Sequence, residues 1–331
     1  MDLSRTAVSD PLLEAFRDEV GPEGPVCVAG GRTHWDVGGL PASGTREVRA
    51  PAGVVAFEPS ELIVRVRAGT AVAELDAALA GAGQCVALPD TPGATVGGVL
   101  AVGRSGPTAL GWGPVRSTLL EARYVDGWGR LVRAGAPVVK NVTGFDLCRL
   151  LVGSLGTLGL LAEVVLRTRP RPRAGAWCVG PADAATLRSI WDGIERPTAV
   201  LWDGHRVWVH VEGHPGDVAA ALGALGRLGC GEVCGGPPPL PPVRSSLPAS
   251  AVWDLPTRWD GPFVAEVGVG IVHGDRPAPT PSVDGRLAVL HRTVKARFDP
   301  DGRLNPGRSP LRSGAGTGAR PAPDGAVGAG C

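Results

Sequence analysis

Residues 138–165, VVKNVTGFDLCRLLVGSLGTLGLLAEVV, constrain this chain more than any other stretch. They join a polar Thr-Gly-x-Asp turn, an apolar patch and three glycines spaced by three, Gly153, Gly156 and Gly159, in the order GSLGTLG. A residue without Cβ lets backbone come into contact with another group and adopts dihedrals closed to other residues. Leu155, Leu158, Leu160 and Leu161 fill the gaps, so the segment is no flexible linker. It reads as a packed loop that approaches a flat or phosphorylated group and then enters a strand over 161–168, ended by Pro170.

The 331 residues suffice for two domains with substantial cores. Acidic and basic residues nearly cancel, 32 against 33, so no global field draws nucleic acid or an anionic membrane surface. No apolar run approaches the roughly 20 residues of a membrane-spanning helix, and MDLSRTAVSD has no apolar signal core. The expectation is a cytoplasmic protein with no transmembrane segment. The seven cysteines are odd in number and scattered; Cys230 and Cys234 match neither a CxxC pair nor an iron–sulfur ligand set. Reduced thiols are therefore expected. With 50 glycines along the whole chain, their position carries more than their number.

Apolar spacing predicts a helix over 11–20, with Leu12, Leu13 and Phe16 on one side. A short strand at 26–29 and extended segments at 46–49, 54–57 and 62–67 follow. Thr70 reads as the cap of a helix reaching about Gly81, with Val72, Leu75 and Leu79 at helical spacing. A strand over 85–88 leads into a glycine-rich loop, 91–115, and residues 119–125 and 130–134 read as a hairpin about Asp126-Gly127. After the RPRPR run at 169–173 a helix over 182–194, strands near 199–202 and 206–212 and a helix near 217–228 form a β/α unit. The proline-rich 235–244 reads as a loop. One strand over 263–272 and a helix over 287–298 precede FDPDGRLNPGR, and the Gly/Ala/Pro tail from Ser309 is expected to be disordered.

Two glycine-bearing loops invite a chemical reading beside the first. Residues 29–39, AGGRTHWDVGG, follow a strand, and their N–H groups suit either an anion-binding concavity or a plain exposed turn. Residues 91–115 carry a second set with an apolar run, 96–102, which favours a buried loop over a surface one. Thr95 or Ser105 would add hydrogen bonds to a diphosphate held from two sides. Arg116 reads equally as a phosphate or carbonyl ligand and as a surface arginine, and Asp146 as a helix N-cap or a site residue. Gly268-Val-Gly270 has no helix after it and no βαβ unit around it, so it is not a Rossmann fingerprint. His210 and His214 fall at a strand end, an arrangement that does not suit zinc, and no metal site is expected. His273 is a weak candidate catalytic group; a partly buried strand-end histidine is the simpler reading.

The order Lys140-Asn141, Thr143 to Leu147 and Gly153 to Gly159 resembles the PCMH-type FAD-binding domain of the vanillyl-alcohol oxidase flavoproteins. Within that family it is most similar to the GlcE group, the FAD-binding subunits of bacterial glycolate oxidases. The resemblance covers about 25–170 well, 286–308 moderately and the middle in layout only. It implies an α+β chain: a PCMH-type FAD-binding domain of two α/β subdomains over 1–170, a small α/β cap domain over 171–285, and a C-terminal helix returning to the FAD domain over 286–308, with the tail at 309–331. It also implies FAD as cofactor. The first loop would contribute Gly30, Gly31, Arg32, Thr33 and His34. The second would contribute Pro92, Gly93, Thr95, Val96, Gly97, Gly98, Ser105, Gly106, Gly113 and Arg116. The third stretch would add Thr143, Gly144 and Asp146, then Gly153, Ser154, Gly156, Thr157, Leu158 and Gly159, and the closing motif Asn305. Phe145 replaces the family's usual tyrosine, and His34 does not directly follow the Gly-Gly pair, which argues against covalent flavin.

The catalytic relatives carry a Gly-Glu-His-Gly segment in a larger second domain, and this chain has none. The resemblance therefore implies an FAD-dependent oxidoreductase subunit of a glycolate oxidase or dehydrogenase complex, oxidising a small 2-hydroxy acid. It would work beside a GlcD-like flavoprotein and an iron–sulfur GlcF-like subunit, reaching the inner membrane, if at all, through those partners. A stand-alone FAD oxidoreductase of another hydroxy acid, alcohol or sugar and a flavin-free assembly subunit stay open.

Overall fold

Alternating apolar strands pair into two antiparallel sheets in a computed structural model that describes residues 10–89, 91–136, 146–277 and 285–311. The first has five strands in the order Val54–Glu58, Ile63–Arg67, Leu160–Arg167, Leu119–Val125, Leu131–Gly135. Its central strand, Leu160–Arg167, is buried along almost its whole length, which explains why it is apolar apart from Glu163 and the terminal Arg167. Helices Val72–Ala80 and Val96–Val102 cover one side with Val72, Leu75, Leu79, Val96, Val99 and Leu100. A smaller lobe packs helix Pro11–Val20 and a parallel pair, Val26–Val28 with Arg46–Val48, against Val125, Leu160 and Ala162. Helix Pro11–Val20 is capped by Asp10 and buries Leu13, Phe16 and Val20, leaving Leu12 exposed.

A charged cluster sits inside the five-stranded sheet. Arg65 bridges Glu121 and Glu163 at 3.0 and 2.9 Å, and Arg133 reaches Glu121 at 2.6 Å. These pairs join four adjacent strands. Slipping one strand by a residue would turn a charge to the wrong face and leave its partners buried alone, so the cluster favours a single register.

The second sheet has seven strands in the order Glu232–Cys234, Ala174–Pro181, Arg206–Gly213, Ala199–Trp202, Phe263–Glu266, Ile271–Gly274, Val243–Ser246. Helices Ala184–Gly193 and Pro215–Arg227 bury Leu187, Ile190, Val218 and Leu225 against one face. This sheet lies wholly within 171–285, as a cap unit would. Helix Gly285–Phe298 then carries the chain back.

That return rests on one carboxylate. Asp299 accepts hydrogen bonds from the N–H groups of Arg303 and Leu304 and pairs with Lys295 Nζ. Arg303, thus placed, donates to the carbonyls of Val20, Gly21, Glu23 and Gly24. Leu304 then bridges Val26 in parallel, and Asn305 N–H donates to the Val26 carbonyl. The sequence FDPDGRLN is therefore a clasp closing the small lobe.

Several local expectations change. Residues 96–102 form a helix, not a loop, because the Thr95 side chain accepts from Gly98 N–H and starts it. Thr70 does not cap the helix Val72–Ala80; its hydroxyl donates to Arg67 O and accepts from Gly53 N–H, pinning the preceding turn. The strand expected over 85–88 is Gln84–Cys85, paired with Arg169–Pro170. The stretch 263–272 is a hairpin, Phe263–Glu266 and Ile271–Gly274, turned by Gly268 and Gly270 at φ 79° and 84°. Strand Ala174–Pro181 lies where no strand was expected: its glycines mask the alternation, and Gly180 is required because a Cβ there would lie 2.2 Å from Gly229 O. The tail beyond Leu311 lies outside the described residues.

Asp299→Ala should cost about 3 kcal/mol, the scale of breaking a buried pair by removing one partner. Denaturant unfolding checks it, and an unchanged midpoint would show that the clasp does not depend on this carboxylate.

Candidate functional site

Glycines make four separate segments touch. A Cβ on Gly31 would lie 1.7 Å from the carbonyl oxygen of Gly93, and one on Gly30 2.4 Å from Thr95 Oγ1. Gly38 meets Leu155 in the same way at 2.1 Å, and Gly156 meets Asn305 Nδ2 at 2.4 Å. Gly153 and Leu155 donate their N–H groups to Leu100 and Ala101 at 2.9 and 2.8 Å. The loop after Val28, the Gly93–Val102 segment, the GSLGTLG loop and the clasp thus interlock around one cleft of about 470 Å³. That volume falls within the roughly 300–1,000 Å³ typical of small-molecule sites.

Backbone strain gathers here. Among the described residues, five other than glycine have left-handed φ, and three of them, Arg32 (54°), Leu155 (57°) and Asn305 (46°), line the cleft. Such conformations cost energy and persist where surrounding structure over-determines them, commonly at functional sites.

The wall is electropositive. It includes Arg32, Arg49, Arg308 and His34, and no aspartate or glutamate. Arg32 pairs with Glu47 just outside, and both Arg32 and Arg308 lie over the Trp35 ring, 4.6 and 4.4 Å from its centroid. Arg308 donates to Trp35 O at 2.6 Å, yet its buried Nε has no partner. Asn305 Oδ1 is likewise buried and unpaired. Burial pushes the Arg308 pKa down, which marks the energetic cost of holding a cation there without a matching anion. Burial also lowers the His34 pKa, with the Arg104 charge adding to it, so His34 favours its neutral form. The N–H groups of Gly30, Gly31, Arg32 and Thr33 make no hydrogen bond to any described residue.

The residues expected from the sequence divide. Gly30, Gly31, Arg32, Thr33, His34, Gly93, Thr95, Gly97, Gly98, Ser154, Gly156, Gly159 and Asn305 line the cleft. Pro92, Ser105, Gly106, Gly113 and Arg116 do not: Ser105 Oγ accepts from Val115 N–H to shape its own loop, Gly113 ends a short helix, and Arg116 is exposed. Val96 and Leu158 belong to the hydrophobic core, and Thr157 Oγ1 is used by Ser154 O. Gly153 packs against Gly103, whose Cβ would lie 2.7 Å from its Cα. Asp146 is the exposed N-cap of helix Leu147–Leu151, paired with Arg149 at 2.9 Å. Thr143 and Gly144, with Lys140, Asn141 and Phe145, lie outside the described residues. His273 is in the cap sheet, outside this wall, with Nε2 2.9 Å from Glu266 Oε1.

Sequence reasoning missed Trp35, Arg49, Gly69 and Arg308, as well as Ala50, Ala68, Ala101, Val102 and Leu155. Arg308 was findable as the cation closing the motif that contains Asn305. The alanines carry no chemical signal, and Gly69 is required because a Cβ there would lie 2.1 Å from Ala50 O.

Residues 23–135 match a family model described as an FAD binding domain. Over 91% of its length the chain is 32% identical to the glycolate oxidase subunit GlcE of Escherichia coli (strain K12), covering 97% of that protein. The chain belongs to the GlcE family. Similarity to other flavoproteins is confined to part of each: 33% identity over 45% of this chain and 28% of a mitochondrial D-lactate dehydrogenase [cytochrome] of Arabidopsis thaliana, and 29% over 33% of this chain and 21% of glycolate oxidase subunit GlcD of Bacillus subtilis (strain 168). Among solved structures, alkyldihydroxyacetonephosphate synthase superposes with a TM-score of 0.63 at 14% identity, over 89% of this chain and 73% of that one, which shows a shared fold. FAD is the cofactor of this family, and the cleft fits it. Its glycine-made cradle, free N–H groups, unpaired arginine Nε and lack of acidic side chains suit an anionic diphosphate.

Gly31→Ala should cut bound FAD at least tenfold, a loss of about 1.4 kcal/mol, because the loop after Val28 must move off Gly93. Gly226→Ala, with open space around its Cβ inside helix Pro215–Arg227, should leave FAD content unchanged and gain up to about 1 kcal/mol. Flavin content per chain and unfolding midpoints check both.

Proposed function

We propose that this chain is the FAD-binding subunit of a glycolate oxidase or dehydrogenase complex, converting glycolate to glyoxylate with electrons leaving through the flavin to partner subunits. Near full-length similarity to GlcE carries the reading, and the electropositive, glycine-built cleft supports it.

When bound, FAD supplies the two-electron acceptor. The chain's own part is binding and placement. Gly30 to Thr33 offer N–H groups to one side of a diphosphate, and Gly93 to Gly98 approach from the other. Arg308 and Arg49 balance its charge, and Asn305 offers an amide. Apolar Val102, Leu151, Leu160 and Leu161 line the same cleft and keep water from its floor.

The partners would be a GlcD-like flavoprotein and an iron–sulfur GlcF-like subunit. Two features support sharing catalysis with them: the absence of a Gly-Glu-His segment from the sequence, and the small share of GlcD that the chain matches. One observation favours a second reading, in which the chain oxidises a hydroxy acid by itself. His273, fixed by buried Glu266, is of the type that accepts a hydroxyl proton. No helix among the described residues is long and apolar enough to cross a membrane.

The purified chain should show the visible spectrum of oxidised flavin, turn over glycolate negligibly alone, and gain activity when the GlcD-like and GlcF-like chains are added. A colourless chain would leave only an assembly role, and full turnover without partners would favour the stand-alone enzyme.

A further inference from the structure

The FAD lobe and the cap sheet meet along a seam crossed by residues 103–113. Gly103 packs on Gly153 at one end, and Gly111 N–H donates to Thr198 O on the cap sheet at the other, 3.2 Å away. Arg104 sits at the start of this crossing. On the cap sheet, Arg244 pairs directly with His273, and His273 with Val264. The two-residue period of a strand puts Arg244, His273, Val264 and Glu266 on one face. Val272, Ala265 and Phe263 occupy the opposite face, in the core shared with the cap helices. The charged face is therefore turned away from those helices.

Two half-buried arginines, Arg104 and Arg244, lie within electrostatic reach of each other here, with no carboxylate in contact with either. Neither Arg104 nor Arg244 makes a side-chain hydrogen bond or ion pair with any described residue. Burial lowers the Arg104 pKa and the Arg244 charge lowers it further, and both guanidinium groups act on His34. Asp36 and Glu266 are near enough to offset this in part, but neither forms a contact pair with an arginine. Glu266 gives Oε1 to His273 and leaves Oε2 buried with no partner. Buried cations are ordinarily paired, and a buried unpaired carboxylate oxygen is costly.

We propose that this seam is a binding site for a small carboxylate anion of the hydroxy-acid class, held between Arg104 and Arg244. A carboxylate accepts the forked N–H groups of guanidinium, and a neighbouring hydroxyl supplies the donor that Glu266 Oε2 lacks. The site lies beside His34, which also lines the FAD cleft. The identity of the acid rests on the function proposed above; the anion site itself does not.

Calorimetric titration of the full chain, carrying its FAD, with glycolate under anaerobic conditions tests it. Saturable binding at one site is expected, weakened at least tenfold in Arg104→Gln and in Arg244→Gln, with partial retention in the Arg→Lys variants and unchanged flavin content. Sulfate should bind more weakly than glycolate. Absence of binding to the parent chain, equal binding by the variants, equal affinity for sulfate, or loss of FAD from Arg104→Gln would each overturn the proposal. A colourless parent chain that still binds glycolate would overturn the flavin reading alone.

Discussion

Close backbone contact at Gly31 and Gly93 is the constraint from which the site follows. Two loops from distant parts of the sequence approach until no side chain fits between them. The same device repeats where Gly38 meets Leu155 and Gly156 meets Asn305. Each contact removes a Cβ from a place where it would block approach, and at the first of them the N–H groups of Gly30 to Thr33 make no hydrogen bond to any described residue. An anion site built from backbone needs this, because peptide dipoles act only at short range and cannot be lengthened like an arginine.

The surrounding architecture holds those loops still. The five-stranded sheet supplies a rigid floor, kept in register by the buried Arg65 cluster. The clasp around Asp299 returns the chain after the cap and delivers Asn305 and Arg308 to the wall. Strain at Arg32, Leu155 and Asn305 is tolerated because each is fixed on both sides by such contacts. Packing energy invested in the sheets thus stabilises loop conformations that would not persist alone.

Charge is arranged in two zones. The FAD cleft pairs glycine with arginine and has no acid in its wall. The seam beyond it combines arginines, histidines and buried carboxylates without satisfying all of them. The first zone suits a permanently charged diphosphate. The second, with donors and acceptors both unfilled, suits a small polar anion that comes and goes.

Apolar periodicity and glycine position made most strands, the helices at 11–20 and 217–228, and three of the four cleft segments legible from the sequence. Motif glycines Gly30, Gly31, Gly93, Gly97, Gly98, Gly156 and Gly159 stand at the cleft because their spacing reflects a local backbone demand. Other residues in the same motifs turned out to serve the loops themselves: Ser105 and Asp146 use their side chains to cap or brace, which a sequence cannot distinguish from ligand binding. The apparent single strand at 263–272 is a hairpin because a turn needs only two left-handed glycines, which look like strand interruptions in one dimension. Spacing and glycine position thus determined most element types and the glycine loops, while the resemblance those motifs carry implied the group they accept. Only the tertiary structure decided that Arg308 faces Trp35 from 273 residues away, and that Arg104 and Arg244 share one seam. Such pairings depend on how whole sheets dock, and no local periodicity records that.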